Sequence, residues 1–141
     1  MPKLQPTEAD FSKWFRKNYK GWCERVEPAM GMNPGFPDLL ALTPATLLPI
    51  ELKIGTIEDD VLWCSEIRPT QIAWHRNFAN HGSESVFVIG VWNGKWLPYI
   101  FDGTLAANWD RTGFKIGVEA HPLIGDLETS VASFMSDTMG I

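Results

Sequence analysis

Apolar and polar positions change rhythm several times along the chain, and each rhythm predicts an element. Phe11, Trp14, Phe15 and Asn18 recur at helical spacing while Lys13, Arg16, Lys17 and Lys20 take the other sides, which predicts a helix from about Glu8 to Asn18 with Thr7 as its N-cap. Trp22 to Val26 alternates as a strand and leads on through Met30, Gly31 and Asn33-Pro34-Gly35. Leu39 to Leu42 and Leu47 to Ile54 follow as two strands joined by Thr43-Pro44-Ala45-Thr46, a hairpin. The stretch GTIEDDVLWCSEI has no clean period and reads mostly as loop, with Glu58, Asp59 and Asp60 as a solvated cluster. Pro69 and Thr70 open a second helix in which Gln71, Trp74, His75 and Phe78 share a face, and Asn80-His81-Gly82 stops it. Ser85 to Trp92 is a continuous apolar strand of the buried kind, and Asn93-Gly94 turns it into Lys95 to Phe101. Beyond Asp102 the pattern fades, except for a short amphipathic helix expected over Leu127 to Met135. The order helix, strand, hairpin, helix, strand, strand predicts an α/β fold with a mixed central sheet flanked by helices.

The hairpin carries an unusual set of charges. In its second strand Glu51 and Lys53 alternate with Ile50, Leu52 and Ile54, so a period of two sends the acid and the amine to one face. A connection of even length, such as Thr43 to Thr46, pairs Asp38 with Glu51 and adds it to that face; an odd one separates them. These residues equally suit the watered side of a half-buried strand, with Asp38 after Pro37 as turn chemistry. If Asp38, Glu51, Lys53 and Gln71 converge, with Glu8 from the edge of the first helix, the oxygen-rich set suits Mg²⁺ or Mn²⁺. Lys53 then lies beside a bound water, and the arrangement fits hydrolysis of a phosphodiester.

Composition narrows the class. A length of 141 residues and a hydrophobic share of 45% fit one globular domain with a proper core. No apolar run reaches a membrane span and MPKLQPTEAD lacks a signal-peptide core, so a soluble, cytoplasmic protein is expected. Cys23 and Cys64 stand far apart with no zinc spacing, as reduced thiols. His75, His81 and His121 have no ligand spacing either. The net charge of -5 disfavours nucleic-acid binding by bulk electrostatics, but six cations against three acids leave residues 1–25 at +3 and the rest at -8. Basic surface is therefore concentrated at the N-terminal end.

Pro37-Asp38, then Glu51-x-Lys53 on the next strand, with an acid-bearing helix before and a helix opening on Gln71 after, resembles the PD-(D/E)xK nuclease superfamily. Gly35-Phe36-Pro37-Asp38-Leu39-Leu40, Glu51-Leu52-Lys53 and Arg68-Pro69-Thr70-Gln71-x-x-Trp74 resemble its small VRR-NUC members and related phage Holliday-junction resolvases. The resemblance covers residues 8 to about 92 and leaves 102–141 as an extension without a motif. It implies a restriction-endonuclease-like core in which Asp38, Glu51 and the Leu52 carbonyl bind metal, Lys53 serves the nucleophilic water, Gln71 is the accessory polar residue and Glu8 the acid of the first helix. Asp10 and Glu24 are alternatives to Glu8. Lys13, Arg16, Lys17, Lys20 and Arg68 are the candidate nucleic-acid contacts.

The leading expectation is thus a Mg²⁺- or Mn²⁺-dependent endonuclease acting on branched, flapped or junction DNA in recombination or repair, with a homodimer suiting symmetric strands. The alternative is a nuclease-like fold acting as a non-catalytic nucleic-acid-binding module or as an inhibitor of another enzyme. A base-stacking platform on Trp92 or Trp96 is a secondary reading.

Overall fold

The structure, a computed structural model, describes residues 5–27 and 34–140; the expected stretch through Met30, Gly31 and Asn33 lies outside the described residues. Helix α1 (Glu8–Asn18) opens as expected on Thr7, whose side chain accepts from the Asp10 N–H while the Asp10 carboxylate accepts from the Thr7 N–H at 2.8 Å. The chain continues through β1 (Cys23–Arg25), β2 (Leu39–Leu42), β3 (Leu47–Glu58), β4 (Val61–Cys64), α2 (Pro69–Asn80), β5 (Val86–Trp92) and β6 (Trp96–Asp102). A 3-10 segment (Gly103–Asn108), two short strands, β7 (Phe114–Lys115) and β8 (His121–Pro122), and helix α3 (Leu127–Asp137) complete it. No helix among the described residues is long and apolar enough to cross a membrane.

The fold is mixed α/β with a mixed central sheet flanked by helices. Strands run β1-β2-β3-β5-β6-β8, with β4 pairing β3 and β7. Only the β3–β5 pairing in that path is parallel, because α2 carries the chain across between them; the neighbours joined by turns are antiparallel.

One expectation is corrected. The stretch after Gly55 is not mostly loop: β3 runs on to Glu58 and returns as β4, with Glu58 opposite Val61. The two turn residues are Asp59 and Asp60, at φ 52° and 62°, the left-handed pair that a two-residue hairpin requires. Asp-Asp supplies that geometry without the usual glycine, so the turn is inconspicuous in sequence.

The pleat sorts the core. Leu48, Ile50 and Leu52 project to the side where Phe11 and Phe15 of α1 and Val131, Phe134 and Met135 of α3 pack. Gly90 has no side chain because the Phe11 ring occupies its place: a Cβ there would lie 2.4 Å from that ring. On the other side Phe87, Ile89 and Phe101 pack with Leu62, Ile67 and Phe114, beneath α2 and the 3-10 segment. Glu51 and Lys53 lie in register with Phe87 and Ile89 on this second side, so the two charges descend among apolar neighbours under α2.

Candidate active site

Asp38 enters the site through hairpin register. Leu39 pairs with Ile50, which sets Asp38 opposite Glu51, and an Asp38 carboxylate oxygen accepts from the Leu52 N–H at 3.1 Å. The approach to Asp38 is fixed from below by α2. Gly35, at φ +88°, rests on its first turn so closely that a Cβ would lie 2.1 Å from the Thr70 carbonyl, and Phe36 meets Trp74 edge-on at 5.2 Å. The two local motifs GFPD and RPTQxxW are therefore two sides of one contact.

Glu51 is buried and hydrogen-bonded twice. Gln71 Nε2 donates to Glu51 Oε1 at 3.1 Å, while Gln71 Oε1 accepts from the Arg68 N–H at 2.9 Å. The glutamine thus spans from a free helix-start amide to the carboxyl group and fixes its orientation. Burial, then a hydrogen bond with Asp38 and the Asp38 charge, push the Glu51 pKa up to about 10 against a partial opposing pull from Lys53. Without a cation, Glu51 carries a proton at neutral pH and shares it with the exposed Asp38 carboxylate.

Lys53 is buried too, and its Nζ donates to the Glu66 carbonyl at 2.9 Å. That bond fixes the amine beside the two carboxyls. Glu8, the first residue of α1, is half-buried, accepts from Ser65 Oγ at 3.4 Å, and feels both Lys53 and Asp38; burial dominates and raises its pKa. Of the three N-terminal acids only Glu8 is directed here. Asp10 is consumed by the Thr7 cap and Glu24 is exposed on β1 opposite Leu40.

Among the described residues no group of three or more His, Cys, Asp or Glu side chains is gathered tightly enough to hold a metal ion. The pair Asp38–Glu51 is in contact, and Glu8 interacts with it only through space. The donor chemistry of that pair still fits a hard divalent cation: two carboxyl groups forced together, one of them buried, need a positive charge or a proton between them.

Beside the pair lies a cleft of about 290 Å³ lined by Glu8, Ser12, Lys13, Arg16, Arg25 and Asp38. Lys13 and Arg16 from the expected basic set face it; Lys17 does not line it and Lys20 lines a different pocket. Arg68 is exposed at the start of α2, near enough for its charge to act on Glu8. Three contributors had no sequence signal: Arg25 on the short edge strand, Ser65 just after β4, and the main-chain oxygen of Glu66. His75 is buried, with Nδ1 2.6 Å from Ser85 Oγ. Cys23 and Cys64 are both half-buried, and burial pushes the Cys64 thiol up to about 12.

No protein-family model and no curated protein sequence matches the chain. Among solved structures, the chain is similar to Hjc of Archaeoglobus fulgidus, a Holliday junction resolvase from an archaeal hyperthermophile, at 18% sequence identity. The similarity covers 89% of this chain and 94% of that one with a TM-score of 0.43.

Proposed function

We propose that the protein is a Mg²⁺- or Mn²⁺-dependent endonuclease of the PD-(D/E)xK kind, cutting DNA at branched, flapped or junction structures. The observation that carries this reading is the convergence of Asp38, Glu51 and Lys53 on one face of the β2–β3 hairpin, with Gln71 bonded to the buried acid. Asp38 and Glu51, with the Leu52 carbonyl, would hold the cation, and Glu8 would border it. Such a cation supplies charge for the phosphoryl oxygens and acidifies a bound water. Lys53, anchored on the Glu66 carbonyl, orients the attacking water and meets negative charge as it develops; Gln71 holds Glu51 in place. Lys13, Arg16 and Arg25 line the cleft with positive charge suited to a phosphate backbone, and Arg68 stands on the α2 side.

A homodimer would present two such sites to symmetric strands. Trp22, Leu42 and Leu47 favour it: they are 49%, 54% and 48% exposed, with Trp22 just before β1, hydrogen-bonded to Leu42 of β2, which pairs with Leu47 of β3.

Cleavage of labelled linear duplex, single strand, flap and four-way junction with Mg²⁺, Mn²⁺ or EDTA, by wild type and Lys53→Ala, tests the reading. Metal-dependent cutting that disappears in the variant is expected. A well-folded wild type that cuts nothing would transfer the assignment to a non-catalytic binding or inhibitory role.

A further inference from the structure

Helix α1 has a second pocket on its far side. Ser12, Lys13 and Arg16 face the catalytic cleft, whereas Trp14 and Asn18, roughly half a helical turn round, line a separate cavity of about 450 Å³. Trp96, Lys20 and Lys95 line it as well, with Asp126 as an acid on its rim. The aromatic rings continue out of the pocket: Trp14 stacks on Phe11 at 5.8 Å, Phe11 meets Trp96 at 5.0 Å, and Trp96 meets Trp92 edge-on at 5.1 Å. Trp92 ends the series 38% exposed, at the tip of the β5–β6 hairpin next to Lys95. An indole 38% exposed beside Lys95, above a pocket that Lys20 also lines, is a combination that core packing does not call for.

We infer that this pocket, with Trp92 at its lip, binds an unpaired nucleotide of single-stranded nucleic acid. The bases stack on indole faces and the phosphates meet Lys20 and Lys95, the division of labour by which proteins hold single strands without reading sequence. Two exposed ammonium groups, Lys20 and Lys95, stand against Asp126 on the rim and the Glu128 carboxylate that accepts from the Lys20 N–H; separate cations beside an open indole suit the phosphates and bases of a strand better than an apolar peptide. The inference rests on the nuclease reading for its purpose: a duplex whose backbone lies in the catalytic cleft sends a displaced strand across α1, a barrier about 10 Å wide, into the second pocket. A flap or junction arm is then distinguished from plain duplex by the strand that leaves it.

The test separates this claim from catalysis by omitting metal. Binding of a labelled oligothymidylate and of a blunt duplex is measured by anisotropy in EDTA for wild type, Lys53→Ala, Lys20→Glu/Lys95→Glu and Trp92→Ala, each with a thermal melt to confirm folding. Wild type and Lys53→Ala are expected to bind the single strand equally, with quenching of tryptophan fluorescence. Both pocket variants should bind it at least about fivefold more weakly, the lower end for losing one base stack, with less than about twofold change for duplex. Unchanged single-strand affinity in both variants, an equal loss for duplex, or no single-strand binding by wild type would each overturn the inference. A protein that binds through this pocket but cleaves nothing would refute the nuclease reading alone.

Discussion

Gln71 Nε2 lies 3.1 Å from Glu51 Oε1, and the same carboxamide accepts from the Arg68 N–H, so the first turn of α2 and the buried acid of β3 are tied by one side chain. Gln71 touches no reacting atom in the proposed reaction and acts by positioning Glu51. Gln71→Ala should lower kcat about 10- to 100-fold, the usual effect of removing a partner that orients a metal ligand, and should weaken the apparent Mg²⁺ affinity. Gln71→Asn, one carbon shorter, should be nearly as damaging. Titrating Mg²⁺ in the cleavage assay decides the matter: lost rate with unchanged metal dependence would assign Gln71 a purely structural place.

The proton on Glu51 has a thermodynamic consequence. Its folded pKa of about 10 lies far above the ordinary value of 4.5, so between those limits the folded protein binds more protons than the unfolded chain. Stability attributable to this group is complete below about pH 4.5 and falls as pH rises toward 10, by up to about 1.4 kcal/mol per pH unit. Glu51→Gln does not titrate. In EDTA it should therefore be more stable than wild type, with a margin that widens from pH 5 to pH 9 in urea unfolding, while cleavage is lost. Mg²⁺ should narrow the margin by stabilising wild type alone, and its binding should release protons and tighten with pH. Equal proton release in two buffers of different ionisation enthalpy, followed by calorimetry, checks the last point; a margin that shrinks with pH would contradict the assignment of the proton.

Gly35 connects the sequence motif to the geometry. Its φ of +88° favours glycine, and a Cβ would meet the Thr70 carbonyl at 2.1 Å, which is backbone and cannot swing away. Gly35→Ala should cost about 2–4 kcal/mol from strain and overpacking together. Because the displaced loop carries Asp38, activity should fall even at temperatures where the variant remains folded. Denaturant unfolding alongside single-turnover cleavage separates the two effects. Gly82→Ala is the control: φ there is also positive, at +86°, but no atom of the described residues lies within 4 Å of a Cβ built there, so only the smaller conformational cost is expected.

Much of this was legible in the chain because helical and two-residue periods are local signals. Phe11 and Phe15 mark α1, and the four-residue turn Thr43 to Thr46 brought Asp38 opposite Glu51 as an even connection should. The helix over Leu127 to Met135 also formed, with Leu127, Val131, Phe134 and Met135 buried. The failures lay where neither period nor residue type carries a signal. β4 was hidden because Asp59 and Asp60 turn the chain without glycine, and with it went Ser65, the partner of Glu8. Arg25 lines the cleft only because β1 pairs with β2, a contact that three residues of alternation cannot announce. The Glu66 oxygen that anchors Lys53 belongs to the main chain, where residue identity carries no signal.

His75 gives an acid-side counterpart to Glu51. It is fully buried on the inner face of α2, with Phe87 4.4 Å and Trp74 5.1 Å away between ring centres, and Nδ1 against Ser85 Oγ. Burial lowers its pKa to about 3 from the ordinary 6.5. Here the unfolded chain binds the extra proton, so the contribution is complete above about pH 6.5 and is lost as pH falls toward 3, at up to about 1.4 kcal/mol per unit. A neutral ring whose Nε2 has no hydrogen-bond partner among the described residues is best served by a proton on Nδ1 donated to Ser85, which leaves an acceptor rather than a donor without a partner. Replacing both partners removes the titration and the polar pair together, so His75→Phe/Ser85→Ala should lose less stability between pH 7 and pH 4.5 than wild type does. His75→Phe alone should be less stable than the double variant at pH 7, since it strands the Ser85 hydroxyl in the core. Urea unfolding of the three proteins at pH 7, 5.5 and 4.5 tests both statements, and parallel pH profiles for wild type and the double variant would show that His75 titrates normally.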